Sequence, residues 1–175
     1  MVSEVSQRIS ANRQLTSKER FLQKLSIKQS IVINAPAHAI YQALTRSEQI
    51  PLYFPIKLVI SKWRVGESVE YKGEINGLPF TDYGVIEKLV PNVCYQYRYW
   101  SDNHGTQQCA ESYVTICYQL QVVNHQVTRL LMTQDNLVSE EMLTVMDEIV
   151  WPQLLTALKN HVQANYLKSQ ITVAL

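Results

Sequence analysis

Val93-Cys94-Tyr95-Gln96-Tyr97-Arg98-Tyr99-Trp100 alternates strictly. Successive side chains of an extended chain point to opposite faces, so Tyr95, Tyr97 and Tyr99 share one side, opposed by Gln96 and Arg98. Turn signals flank this strand. Upstream, Pro91-Asn92 folds it back onto residues 80–90, and Asn76-Gly77, the dipeptide best suited to a two-residue hairpin, joins those to residues 67–73. There Val69 and Tyr71 alternate with Ser68, Glu70 and Lys72, after a turn at Val65-Gly66. Downstream, a polar loop over residues 101–108 leads to residues 110–123, with Val114, Ile116, Tyr118, Leu120 and Val122 on one side. Asn124-His125 then turns the chain into residues 127–134. Consecutive hairpins predict an antiparallel sheet with one apolar face to cover.

The flanks supply the cover. Residues 26–33 form a further strand with Ile27, Gln29, Ile31 and Ile33 on one side. Asn34-Ala35-Pro36 ends it and starts a short helix over residues 37–45, followed by a helical turn near residues 47–52. At the other end Ser139 is a helix N-cap, with Glu140 and Glu141 in the first turn. Met142, Met146, Ile149, Val150, Leu154, Leu158 and Val162 recur at helical spacing and predict one apolar stripe. Pro152 has no N–H for the carbonyl of Glu148, which predicts a kink or two pieces meeting at Trp151. The expected class is α+β: a curved antiparallel sheet of about six to seven strands around a long C-terminal helix, with two short helices after the first strand. The domain spans residues 26–168. Residues 1–25 form an N-terminal arm with a short helix behind the capping box Thr16-Ser17-Lys18-Glu19, and residues 169–175 a tail.

Composition narrows the function. The chain has 175 residues, 46% hydrophobic and 18% charged, with a formal net charge of +1, which suits one globular domain and gives no broad electrostatic footprint for nucleic acid. Cys94, Cys109 and Cys117 form no C-x-x-C pair, and His38, His104, His125 and His161 stand singly, so no zinc spacing is present. No metal or cofactor is expected. The first fifteen residues lack a signal-peptide core, and no apolar run is long enough to span a bilayer, so no membrane insertion and a cytoplasmic location with reduced thiols are the expectation.

Several segments resemble the START-like, or SRPBCC, superfamily. Ile31-Val32-Ile33-Asn34-Ala35-Pro36 followed by Ile40-Tyr41-Gln42-Ala43-Leu44-Thr45 is similar to its opening. Val65-Gly66-Glu67, Tyr83-Gly84-Val85-Ile86 with Pro91, and Trp151-Pro152-Gln153-Leu154-Leu155-Thr156-Ala157-Leu158-Lys159 resemble the branch related to the heat-shock-protein-90 ATPase activator. Tyr41, Tyr53-Phe54 and Val150 stand where that branch usually has tryptophan, tryptophan and glycine. The resemblance implies a helix-grip fold, often built around a hydrophobic cavity.

That cavity is the first candidate site. Tyr95, Tyr97 and Tyr99, with Tyr71 and Tyr118 on neighbouring strands, can line the covered face, and buried phenols need hydrogen-bond partners that a ligand or water supplies. Simple aromatic packing accounts for the same stripe. Met132, Met142 and Met146 suit a pocket of adaptable shape, though such spacing also suits plain core. The expected lining is Tyr71, Ile86, Tyr97, Tyr99, Tyr118, Met132, Met142, Met146 and Val150, holding a small hydrophobic or aromatic molecule such as a lipid or polyketide. At roughly 25 cal/mol per Å² of apolar area, burial supports micromolar binding after entropic costs. A second reading is a chaperone-associated or other protein-interaction module, with an exposed apolar patch around Trp63 or Tyr53-Phe54. A third, a cyclase or hydrolase, requires an acid–base group inside. Asp82, Glu74, Glu87 and Asp135 form no pair, and His104 beside Gly105 reads as a solvated loop histidine, so no catalytic residue is assigned.

Overall fold

The computed structural model describes residues 25–173. The expected arm therefore lies outside the described residues, except for Leu25, which opens the first strand rather than closing a helix. Seven strands form one antiparallel sheet: β1 (Leu25–Ile33), β2 (Leu58–Ser61), β3 (Ser68–Ile75), β4 (Leu78–Val90), β5 (Cys94–Ser101), β6 (Val114–Asn124) and β7 (Val127–Leu137). Their order is β1-β7-β6-β5-β4-β3-β2. β2 to β7 run as a meander, and β1 joins beside β7. The chain thus crosses from one sheet edge to the other between β1 and β2, through α1 (Ala37–Thr45) and a 3-10 turn at Ile50–Leu52. After β7 come α2 (Glu140–Val145), a π-helical segment (Met146–Val150) and α3 (Trp151–Val173).

Local chemistry explains the joints. Asn76 (φ 51°) and Gly77 (φ 80°) are both left-handed, as a tight hairpin turn demands, and Ile75 faces Leu78 across it. Ser139 Oγ accepts the Met142 N–H at 3.0 Å and caps α2. Gly84 sits between Val69 and Tyr99 on adjacent strands. A Cβ there would stand 2.8 Å from Val69 Cγ1 and 2.9 Å from its carbonyl oxygen, so close packing requires glycine.

The alternation read from β5 holds: Tyr95, Tyr97 and Tyr99 are buried on the concave face. α3 covers them with Trp151, Leu154, Leu155, Leu158 and Val162. The helical stripe differs from expectation before Pro152. Trp151 N–H bonds Met146 O, five residues back, and this wide turn rotates the preceding side chains. Ile149, expected inside, is 52% exposed, while Trp151 is 2% exposed. In the π register Pro152 would bond the carbonyl of Asp147 rather than Glu148, and lacking an N–H it leaves that oxygen free. Gln29 Nε2, from β1, takes it at 2.6 Å and also donates to Asp147 Oδ1 at 2.7 Å. α3 continues helical past residue 168 to Val173.

Candidate functional site

Five phenols meet on the concave face. Tyr71 (β3), Tyr95, Tyr97 and Tyr99 (β5) and Tyr118 (β6) are all buried. Their rings run in contact: Tyr71–Tyr97 at 5.5 Å between centroids, Tyr95–Tyr97 at 5.0 Å, Tyr97–Tyr99 at 5.8 Å and Tyr95–Tyr118 at 6.0 Å. The Tyr118 ring also meets Trp151 edge-on at 6.1 Å. The Tyr71 and Tyr95 hydroxyls are 2.8 Å apart and satisfy each other. Burial pushes all five phenol pKa values upward, so they act as neutral donors and acceptors, never as phenolates near neutral pH.

The space on the phenol face is small. Tyr71, Tyr95, Tyr97, Tyr118, Trp151 and Leu158 line a void between sheet and helix with about 20 Å³ of room for a water-sized molecule. That holds one water, against the several hundred Å³ of a ligand pocket. The filling comes from α3, through Trp151, Leu154 and Leu155, and from Tyr53 and Phe54, which also line the void. The apolar patch expected at Tyr53-Phe54 is accordingly turned inward. Tyr53 Oη donates to Ala43 O at 3.0 Å, and Phe54 packs on Tyr71 at 6.2 Å. Trp63 lies on Tyr95 at 5.6 Å and donates from Nε1 to Ser47 Oγ at 3.1 Å.

Of the expected lining, Tyr71, Tyr97 and Tyr118 reach the void. Ile86 is buried opposite Tyr97, and Met132 is buried opposite Tyr118. Tyr99 lies further along β5, against His104 at 5.2 Å. Met142, Met146 and Val150 pack on the core from α2 and the π segment, half-buried and away from the void. No side chain from residues 140–150 is fully buried, whereas α3 is anchored by several. This stretch is a roof held by partial contacts, by Gln29 and by the turn at Pro152.

Polar residues missed from sequence complete the face. Gln134 is 0% exposed and accepts from Trp151 Nε1 at 2.6 Å, while its Nε2 donates to Tyr99 Oη at 3.4 Å. Its signal was present, since Thr128, Leu130, Met132 and Gln134 alternate inward. Asp82 faces Tyr71 and Ser101 across the ladders. Burial lifts its carboxyl to about 6, Asp102 adds repulsion, and a hydrogen bond from Ser101 opposes the rise. His104 is not a solvated loop residue. It is half-buried, its Nδ1 is sealed without a partner, and burial lowers its pKa. Asp82 and His104 both neighbour Tyr99, but neither lines the void. No group of three or more His, Cys, Asp or Glu among the described residues is placed to hold a metal ion. No helix among them is long and apolar enough to cross a membrane.

An antiparallel sheet gripping a C-terminal helix defines a START-like, helix-grip protein. The chain belongs to the family described as activator of Hsp90 ATPase homolog 1-like protein, whose profile matches residues 34–163. Among solved structures it is similar to ChR145 from Cytophaga hutchinsonii, with 27% identity and a TM-score of 0.66 over 85% of this chain and 97% of that one. The Aha1 dimer from Colwellia psychrerythraea is similar at 22% identity and a TM-score of 0.62, covering 79% and 96% of the two chains. A START superfamily protein from Mycobacterium smegmatis aligns at 17% identity with a TM-score of 0.64, covering 79% and 97%. No curated protein matches the chain.

Proposed function

We propose that this protein binds a small apolar or aromatic ligand between the sheet and the C-terminal helix. The observation that carries the reading is the convergence of buried phenols on one void between the sheet and the start of α3. Concave apolar surface with a few convergent hydroxyls suits a small ligand. The space is too small for one, so uptake requires α3 to move off the sheet, and the Gln29–Asp147 bonds pin the segment that leads into it. Tyr71, Tyr97 and Tyr118 then meet the ligand first, with Ile86, Tyr99 and Met132 as the floor, and Met142, Met146 and Val150 join the lining only if the displaced helix brings them over it. A cytoplasmic setting agrees with the free thiols of Cys94, Cys109 and Cys117.

The test is a lipid and aromatic library followed by native mass spectrometry and amide NMR, on the wild type and on Gln29→Ala. Retained adducts and shifts at Tyr71, Tyr97 and Tyr118, with faster uptake in Gln29→Ala, are expected. Absence of both from both proteins across the library would sink the reading.

A second reading, association with a chaperone, draws on the family description and on exposed Leu58 and Ile60 of the edge strand β2. It predicts that the chain raises the ATP hydrolysis rate of an Hsp90 and that Leu58→Lys abolishes the effect. An unchanged rate counts against it.

A further inference from the structure

On the convex face, behind the phenols, two thiols touch. Cys94 Sγ and Cys117 Sγ are 3.8 Å apart on β5 and β6. Cys94 is 4% exposed and Cys117 half-buried. Cys109, exposed, instead has its sulfur 3.1 Å from Ser112 Oγ. We propose that Cys94 and Cys117 are a reversible redox site, closing to an intrachain disulfide by exchange with a low-molecular-weight disulfide.

Geometry sets the character of the bond. Cys94 faces Gln119 and Cys117 faces Gln96, so the two cysteines are diagonal neighbours. Diagonal positions lie about 7–8 Å apart, while a disulfide spans about 4.4–6.8 Å between Cα atoms. Closure therefore draws the strands together by about 1 Å, which is feasible because Cys94 is the first residue of β5, next to the Pro91-Asn92 turn. A bond made under such strain is readily reduced, which makes it a switch rather than a permanent staple.

Accessibility sets the order. The Cys117 thiolate attacks one sulfur of R–S–S–R, forming a mixed disulfide and expelling RS⁻. Cys94 then loses its proton and attacks the Cys117 sulfur, expelling the second RS⁻. Two protein thiols give up two electrons, and the small disulfide takes them with both protons as two RSH. Burial and the neighbouring Cys94 push the Cys117 thiol up to about 11, with Lys88 opposing and Asp135 adding, so the reaction is slow at neutral pH and speeds as pH rises. Tyr95 and Tyr118 follow the two cysteines in the chain and face each other on the opposite side of the sheet, so closure shifts stacked rings of the core.

The folded protein is incubated with oxidised glutathione in mildly alkaline buffer, quenched with acid and weighed intact. The expected product has lost about 2 Da at Cys94 and Cys117, beside any glutathione taken up by the exposed Cys109, changes the near-ultraviolet tyrosine dichroism and reverts with dithiothreitol. Cys109→Ser still closes. Cys94→Ser stops at a glutathione adduct on Cys117, and Cys117→Ser, at a half-exposed position that tolerates serine, yields no lighter species. The proposal is overturned if Cys109→Ser keeps both remaining thiols alkylatable, or accumulates the Cys117 adduct without closing.

Discussion

Replacing Asp82 by asparagine should stabilise the protein, and by an amount that depends on pH. The carboxyl titrates at about 6 in the folded chain against 3.8 for an unhindered aspartate, chiefly because burial on the concave face disfavours its charge. A folded value above the unfolded one means that the native state holds the proton more tightly. The stability that this lends is fully present below 3.8 and is lost as pH rises through about 6. Roughly two pH units at about 1.4 kcal/mol each give a loss of about 3 kcal/mol, reduced to about 2 kcal/mol by the solvent that still reaches the group. Asparagine carries no charge to bury and keeps a carbonyl oxygen for the Ser101 hydroxyl. The two proteins should therefore match in strongly acidic buffer, diverge as pH rises from 3.8 to about 6, and stay about 2 kcal/mol apart above that, with the variant ahead. Urea melts of both, run from acid to neutral pH, measure this difference directly. A gap that is constant with pH, or a wild type that gains on the variant as pH rises, would refute the argument that burial governs this carboxyl.

Two further outcomes follow from the packing. Gln134→Leu strands the Trp151 Nε1–H in the core and should cost about 1–3 kcal/mol, seen as a lower urea midpoint at unchanged slope. Gly84→Ala presses a methyl group into Val69 and its carbonyl and should cost about 1–3 kcal/mol, measured as a fall in thermal midpoint. No loss there would mean that β3 and β4 separate more easily than their register implies.

Backbone chemistry was legible along most of the chain because its signals are local. Asn76-Gly77 can serve few purposes other than a tight turn, Ser139 caps whatever helix follows it, and strict alternation in β5 leaves one choice of buried face. Pro152 announced a break, but not that the break would be a wide turn. The added residue changes the phase of everything before it, so Ile149 went outward and Trp151 inward. The site was less legible for a related reason. Whether a ring of phenols surrounds a hollow depends on what drops in from elsewhere, and Trp151, Tyr53 and Phe54 arrive from segments far away in sequence. In the sequence Asp82 is one of four carboxylates that form no pair; only the ladders placing it opposite Tyr71 and Ser101 make it a concave-face group.

The pairing of β1 with β7 bears on how the chain is made. On the ribosome β1 emerges early, yet its neighbour among the described strands lies roughly a hundred residues downstream. Until β7 clears the exit tunnel, Ile27 and Ile33 have no partner strand, and the meander from β2 to β6 can assemble without them. The last hairpin is thus the moment of commitment in vectorial synthesis, and a nascent chain stalled before it presents a sticky strand to its neighbours.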